Sequence, residues 1–130
     1  MERTLVFLKE ASMFYLSTAN EESPILCPCN IAFEYEGRLY LLPSKSQRFY
    51  DAIRKNSQIE ISCITNGQWL RISGEIKSDN RCEVKDALLK MNPNLEKILQ
   101  ENTSFKILYF TKGTASFCSV DSDPIIEHLA

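Results

Sequence analysis

Polar and apolar residues alternate with a period of two along much of this chain, which marks strands, and the exceptions cluster into short helical stretches. Leu5, Leu8 and Ala11 recur at helical spacing, so Glu2 to Ala11 is expected to be a helix. Phe14 to Ala19 alternates as a strand, Asn20 to Pro24 supplies a polar turn, and Ile25 to Tyr35 reads as a long strand. Glu36-Gly37 turns that strand into Arg38 to Leu42, which Pro43 ends. Ser44 and Gln47 then form an S-x-x-Q capping box, which satisfies two otherwise orphan backbone donors of the next helix. Phe49, Ala52 and Ile53 are its inward stripe, and Tyr50 is its surface aromatic.

The second half continues in the same manner. Ile59 to Thr65 places Ile59, Ile61 and Cys63 on one face, Asn66-Gly67 is a hairpin turn, and Trp69 to Lys77 returns. In that strand Leu70, Ile72 and Ile76 face one way, and Trp69, Arg71 and Ser73 the other. Asn80 and Glu83 cap a further helix with Val84, Ala87, Leu88 and Met91 inward. Asn92-Pro93-Asn94 breaks it, and Leu95 to Leu99 is a second short helix. Phe105 to Phe110 and Thr114 to Val120 read as two strands around Lys112-Gly113, which leaves His128 in a tail. Six or seven strands joined mostly by tight turns predict a mainly β protein, an antiparallel barrel with peripheral helices. No linker or repeat divides it, so residues 1–130 are expected to be a single domain.

Composition narrows the function. A net charge of −2 gives no support for nucleic-acid binding or a membrane-surface role, and no apolar run approaches the length of a bilayer span. A cytoplasmic location is expected. Five cysteines at irregular spacing do not make a disulfide framework. Cys27-Pro28-Cys29 has no second pair at ligand spacing and the single histidine lies near the end of the sequence, so no metal site is expected. Cys27 and Cys29 alternate with Ile25 and Ile31 and read as core thiols.

The Ser44 segment is unusual in its charge. Helix N-termini carry free N–H groups and partial positive charge, so acids usually gather there. Here Lys45 and Arg48 stand at the start, and the first acid is Asp51. An anion held between the cations, a phosphate above all, makes sense of that arrangement, although basic helix starts also occur on plain surfaces.

The ordered set of segments resembles the flavin-binding split-barrel proteins. It runs from the N-terminal helix through Phe14-Tyr-Leu-Ser-Thr-Ala19, a Pro-containing strand, Tyr35-Glu-Gly-Arg-Leu-Tyr40 and Ser44-Lys-Ser-Gln-Arg-Phe-Tyr50. Trp69-Leu-Arg-Ile-Ser-Gly74, Met91-Asn-Pro93 and the aromatic C-terminal strand continue it. The similarity covers roughly Leu5 to Val120 and is closest to the short pyridoxamine 5′-phosphate oxidase-like proteins, which include the nitroimidazole-resistance reductase group.

That resemblance implies a six-stranded antiparallel FMN-binding split barrel, a homodimer, and cofactor clefts between the subunits. Ser44, Lys45 and Arg48 would hold the FMN phosphate, with Gln47 beside them. The strand carrying Cys27, Cys29 and Asn30 would run along the flavin ring, and Trp69 and Arg71 would complete the site from the partner subunit. Three positions depart from the family. Cys27-Pro28-Cys29 stands where many relatives carry Arg-Pro, Gln47 where close relatives carry lysine, and Trp69 where the larger oxidases place a glutamine. The long substrate-binding C-terminal segment of the true oxidase is absent, so pyridoxamine phosphate oxidation is not expected. The resulting expectation is an oxidoreductase acting on a small organic substrate, with no protein nucleophile required. Two alternatives remain: a non-catalytic module binding haem, a deazaflavin or another flat ligand, and a member that has lost its cofactor.

Overall fold

Seven antiparallel strands build one sheet that closes on itself, and the computed structural model describes residues 1–18, 23–101 and 104–129. In chain order the elements are α1 (Glu2–Ala11), β1 (Phe14–Thr18), β2 (Leu26–Tyr35), β3 (Arg38–Pro43), α2 (Gln47–Lys55), β4 (Gln58–Thr65) and β5 (Gln68–Ser78). Then follow α3 (Cys82–Met91), a 3-10 turn (Pro93–Leu95), α4 (Glu96–Glu101), β6 (Leu108–Ser119) and β7 (Ser122–Leu129). The strand order is β3-β2-β1-β4-β5-β6-β7, and β3 also pairs with β6. Six strands therefore form a closed barrel, and β7 extends the wall beyond β6. The expected antiparallel barrel with peripheral helices is the observed architecture. The turn expected over Asn20–Pro24 lies mostly outside the described residues.

The period-two pattern explains the core. Phe14, Leu16, Cys27, Cys29, Ile59, Ile61, Cys63, Leu70, Ile72 and Ile76 all point into the barrel, where Phe7 and Leu8 of α1 join them. β3 breaks the alternation because both its faces are covered. Leu39 and Leu41 face the barrel, while Tyr40 and Leu42 pack outward with Val84, Leu88 and Leu99 of α3 and α4. A strand buried on both sides reads as a continuous apolar run, as Leu39 to Leu42 does.

The structure corrects several expectations. Lys112-Gly113 does not divide two strands; β6 runs unbroken from Leu108 to Ser119. Gly113 lies directly opposite Gly74, and Thr111 is an extra residue between the Glu75–Lys112 and Ile76–Phe110 pairs. The facing glycines mark a close approach of β5 and β6 rather than a turn: at Gly74 the Lys112 carbonyl leaves no room for a Cβ, and at Gly113 the fit is tight. His128 is not in a tail but in β7, opposite Thr114. Glu127 beside it accepts from the backbone N–H of Thr4 at 3.0 Å and from the Thr4 hydroxyl, so β7 supplies α1 with a cap that its own sequence lacks. Met91 is exposed rather than inward, and Arg81, not Asn80, occupies the N-cap position of α3.

A polar clamp fixes the junction of β5 and α3. The buried Tyr40 hydroxyl donates to Asp79 at 2.7 Å, and Arg81 pairs with Asp79 at 2.9 Å and with Glu36 at 3.3 Å. The Arg81 hydrogen bonds, aided by that of Tyr40, hold the Asp79 carboxyl down to about 2. Burial, together with the Asp79 bond, pushes the Tyr40 phenol up to about 12. A depressed carboxylate contributes stability above the unfolded range near pH 4 and loses it as the pH falls toward 2. Asp79→Asn is therefore expected to lower stability by about 2 kcal/mol at neutral pH. In urea unfolding at a series of pH values, the gap from wild type should narrow steadily below pH 4 and close near pH 2; a pH-independent gap would refute the linkage.

Candidate functional site

The segment between β3 and α2 is held by its neighbours in β2. The Ser44 N–H donates to the Pro28 carbonyl at 2.9 Å, which keeps Ser44 extended alongside β2. The Cys27 thiol donates to the Ser44 carbonyl at 3.3 Å, and the Cys29 thiol to the Leu42 carbonyl at 3.4 Å. This contact delays the helix. Its N-cap is Ser46, whose hydroxyl accepts from the Phe49 N–H at 3.2 Å. The Ser44–Gln47 capping box is thus replaced by a cap two residues later, and Lys45 lies before the helix rather than in its first turn.

The electrostatic pattern persists with this shorter helix. Its first turn contains no acid. Ser44, Lys45, Gln47 and Arg48 are all exposed, and neither Lys45 nor Arg48 has an ion pair among the described residues. Asp51, the first carboxylate of α2, is engaged by the Gln47 amide at 2.8 Å and by Arg54 at 3.6 Å. Helix geometry leaves the Gln47 and Arg48 N–H groups without intrahelical acceptors. The segment therefore presents hydroxyl, ammonium, guanidinium and amide donors together, a donor set suited to a phosphate.

Asn30 lies beside this segment at a break in the ladder. Cys29 pairs with Pro43 and Ala32 with Leu41, so β2 holds one residue more than β3 between those pairs. Such a bulge re-aims the side chains it carries, and Asn30 is exposed there. Cys27 and Cys29 instead point into the barrel, as the alternation predicts. Burial raises the Cys27 thiol to about 11 and the Cys29 thiol to about 12, so both are protonated core groups at neutral pH.

Trp69 and Arg71 stand elsewhere in the chain. Pro28 pairs with Tyr15, Tyr15 with Ser62, and Ser62 with Arg71. Three strand spacings, about 14 Å, thus separate Arg71 from the β2 strand. Arg71 pairs with Glu60 at 3.6 Å, an exposed contact that contributes little stability. Trp69 is half-buried on the same outer face, between Ile64 of β4 and Cys118 of β6. The chain brings Ser44, Lys45, Gln47, Arg48 and Asn30 to one region and Trp69 and Arg71 to another. The outer face carrying the second group also exposes Tyr15, Leu26 and Ile64 at 50%, 62% and 74%.

Two features of the site carry little or no local sequence signal. The Pro28 carbonyl positions Ser44 through backbone contact, for which no side-chain pattern exists. Ser46 is the cap, and its signal was a hydroxyl three residues before Phe49, obscured by the competing Ser44. A third correction concerns Tyr50, which is 1% exposed rather than on the surface, because the chain near Lys106 covers it and donates a backbone N–H to its hydroxyl at 3.3 Å.

Known proteins extend this picture. No protein-family profile and no curated protein matches the chain. Among solved structures, a NimC/NimA family protein from Clostridium acetobutylicum is 36% identical, with a TM-score of 0.88 over 99% of this chain and 92% of that one. The chain belongs to the NimC/NimA family. Two other structures share the fold at lower identity than this NimC/NimA relative. A Clostridium acetobutylicum protein related to general stress protein 26, of the pyridoxinephosphate oxidase family, is 16% identical with a TM-score of 0.70, covering 97% of this chain and 90% of that one. A haem-binding protein from Mycobacterium smegmatis is 11% identical with a TM-score of 0.68, covering 98% of this chain and 55% of that one. Like the NimC/NimA protein, both contain this split-barrel architecture, and no described helix of the present chain is long and apolar enough to cross a membrane.

Proposed function

We propose that this NimC/NimA family chain binds FMN and works as an oxidoreductase on a small organic substrate. The observation that carries the reading is the acid-free start of α2, where Ser44, Lys45 and Arg48 stand exposed against the Pro28 strand and the two cations have no ion pair among the described residues. Phosphate charge would be met there by the two cations and by the free N–H groups of Gln47 and Arg48. Gln47, tied to Asp51, would contribute its backbone rather than its side chain. Asn30 at the bulge would offer polar contact to the ring edge, while Cys27 and Cys29 would back that strand from the core side. FMN, when bound, supplies the two-electron chemistry; the chain holds it, orients it and limits the access of water.

The wide separation of Arg71 and Trp69 from the Ser44 segment supports a homodimer in which the partner's outer sheet face closes the cleft. Tyr15, Leu26, Ile64 and Trp69 give that face the aromatic and apolar character of an interface centre. Breaking the weak Arg71–Glu60 contact would free Arg71 for an anionic group on the cofactor or substrate.

A visible spectrum of the purified protein, taken before and after FMN addition and removal of the excess, tests this reading, with sedimentation velocity on the same sample. Retained flavin bands on a dimer are expected. A colourless monomer that ignores FMN would remove both proposals. Haem is the second reading, favoured by the Mycobacterium smegmatis neighbour, and a Soret band would bring it forward. The protonated, inward thiols of Cys27 and Cys29 and the placement of His128 on β7, outside the barrel, weigh against it.

A further inference from the structure

At the opposite end of α2 from Ser44, a hollow of about 440 Å³ opens between the helix, the end of β5 and the segment before β6. It is lined by the partly buried Ile53, with the core residues Ile76 and Tyr50 behind it, and by the cations Arg54, Lys77 and Lys106. We propose that this hollow is a second anion site, which binds a small organic phosphate through Arg54, Lys77 and Lys106.

Each cation comes from a different element, and two are set by ordered backbone. Lys77 is in the β5 ladder opposite Tyr109. Lys106 donates its backbone N–H to the Tyr50 hydroxyl at 3.3 Å, and its ammonium lies 6.0 Å from the centre of the Tyr50 ring. Among the described residues, no carboxylate lines the hollow. Among the described residues, Lys77 and Lys106 have no ion pair, and the nearby acids are engaged elsewhere: Glu75 with Lys112 and Gln58, Asp79 with Arg81 and Tyr40. The contact of Arg54 with Asp51, at 3.6 Å, is exposed. Cations in the last turn of a helix offset its dipole, which accounts for Arg54 but not for Lys77 or Lys106.

The ligand class follows from charge and shape. In a chain of net charge −2, three cations round one hollow with no acid among the described residues form a local concentration of positive charge. A carboxylate would leave two of them unmatched. A phosphomonoester carries nearly two negative charges at neutral pH and three acceptor oxygens. The partly buried Ile53 offers apolar contact to an organic body on that phosphate. This site is separate from the proposed FMN phosphate site, since Arg48 and Arg54 lie at opposite ends of α2.

The test is an amide chemical-shift titration of the full chain with adenosine 5′-monophosphate, using adenosine as the uncharged control. The expected result is saturable shifts at Lys77, Ser78 and Lys106 with the monophosphate and none with adenosine. Lys77→Gln/Lys106→Gln keeps the aliphatic stems, so the fold should hold, and binding should weaken by roughly tenfold per lost charge. Absence of shifts at these amides, equal response to adenosine, shifts confined to Ser44–Arg48, or undiminished binding by the double variant would each overturn the proposal.

Discussion

Gly74→Ala is expected to lower the stability of this barrel by about 3 kcal/mol, although alanine ordinarily improves on glycine in a strand. A methyl group at Gly74 would run into the Lys112 carbonyl oxygen and lie 2.8 Å from the Gly113 Cα and 2.9 Å from the Phe110 ring. Two of those three neighbours are backbone, which cannot rotate aside. Relief would require β5 and β6 to separate where β6 passes from its β3 pairing to its β7 pairing. Gly113→Ala serves as the control. Its new methyl would meet the Phe110 ring at 3.2 Å and the Ser73 carbonyl at 3.3 Å, so a shift of a few tenths of an ångström relieves it. Urea unfolding of both variants should place Gly74→Ala far below wild type and Gly113→Ala between them. A Gly74→Ala midpoint at or above wild type would mean that the two backbones are not apposed as described.

The second large effect concerns the proposed cofactor. Lys45→Ala/Arg48→Ala should weaken FMN binding by roughly a hundredfold, since two charge-assisted contacts to phosphate are lost together. Both side chains are exposed and have no ion pair among the described residues, so the urea midpoint should scarcely move. Gln47→Ala should have a much smaller effect on affinity, because its amide is spent on Asp51. Quenching of FMN fluorescence on titration with each variant measures this. An unchanged affinity in the double variant would relocate the phosphate away from the start of α2.

Strands β1, β4 and β5 were legible because one face of each is buried and the other is not, so alternation carries the signal; β7, exposed along nearly its whole length, gives no such pattern. Helix α1 was legible to the residue for a related reason: its apolar positions repeat at helical spacing against the barrel. What could not be read depended on distant partners. Ser44 resembled a cap until its N–H was taken by Pro28, sixteen residues earlier in the chain. Tyr50 looked solvent-facing because the chain that covers it is contributed by Lys106. Lys112-Gly113 resembled a turn, since glycine marks both turns and close backbone approaches, and only the facing Gly74 separates the two. At the candidate site, the charge pattern of Ser44, Lys45 and Arg48 was readable from local sequence alone. The distance from them to Arg71 and Trp69 was not, because it is set by the order β2-β1-β4-β5 in the sheet.

The pairing of β6 with β3, beside its pairings with β5 and β7, also bears on how the protein reaches its native state. Most neighbours in the wall are hairpins or nearby segments, but the seam pairs Tyr40 with Tyr109 and Leu41 with Leu108. That seam joins the first third of the chain to the last, and its loop-closure entropy is met only after the intervening hairpins have shortened the effective loop. Barrel closure is then a late kinetic event, so core substitutions at Tyr109 or Leu108 should chiefly accelerate unfolding, whereas those in the β4–β5 hairpin should chiefly slow folding.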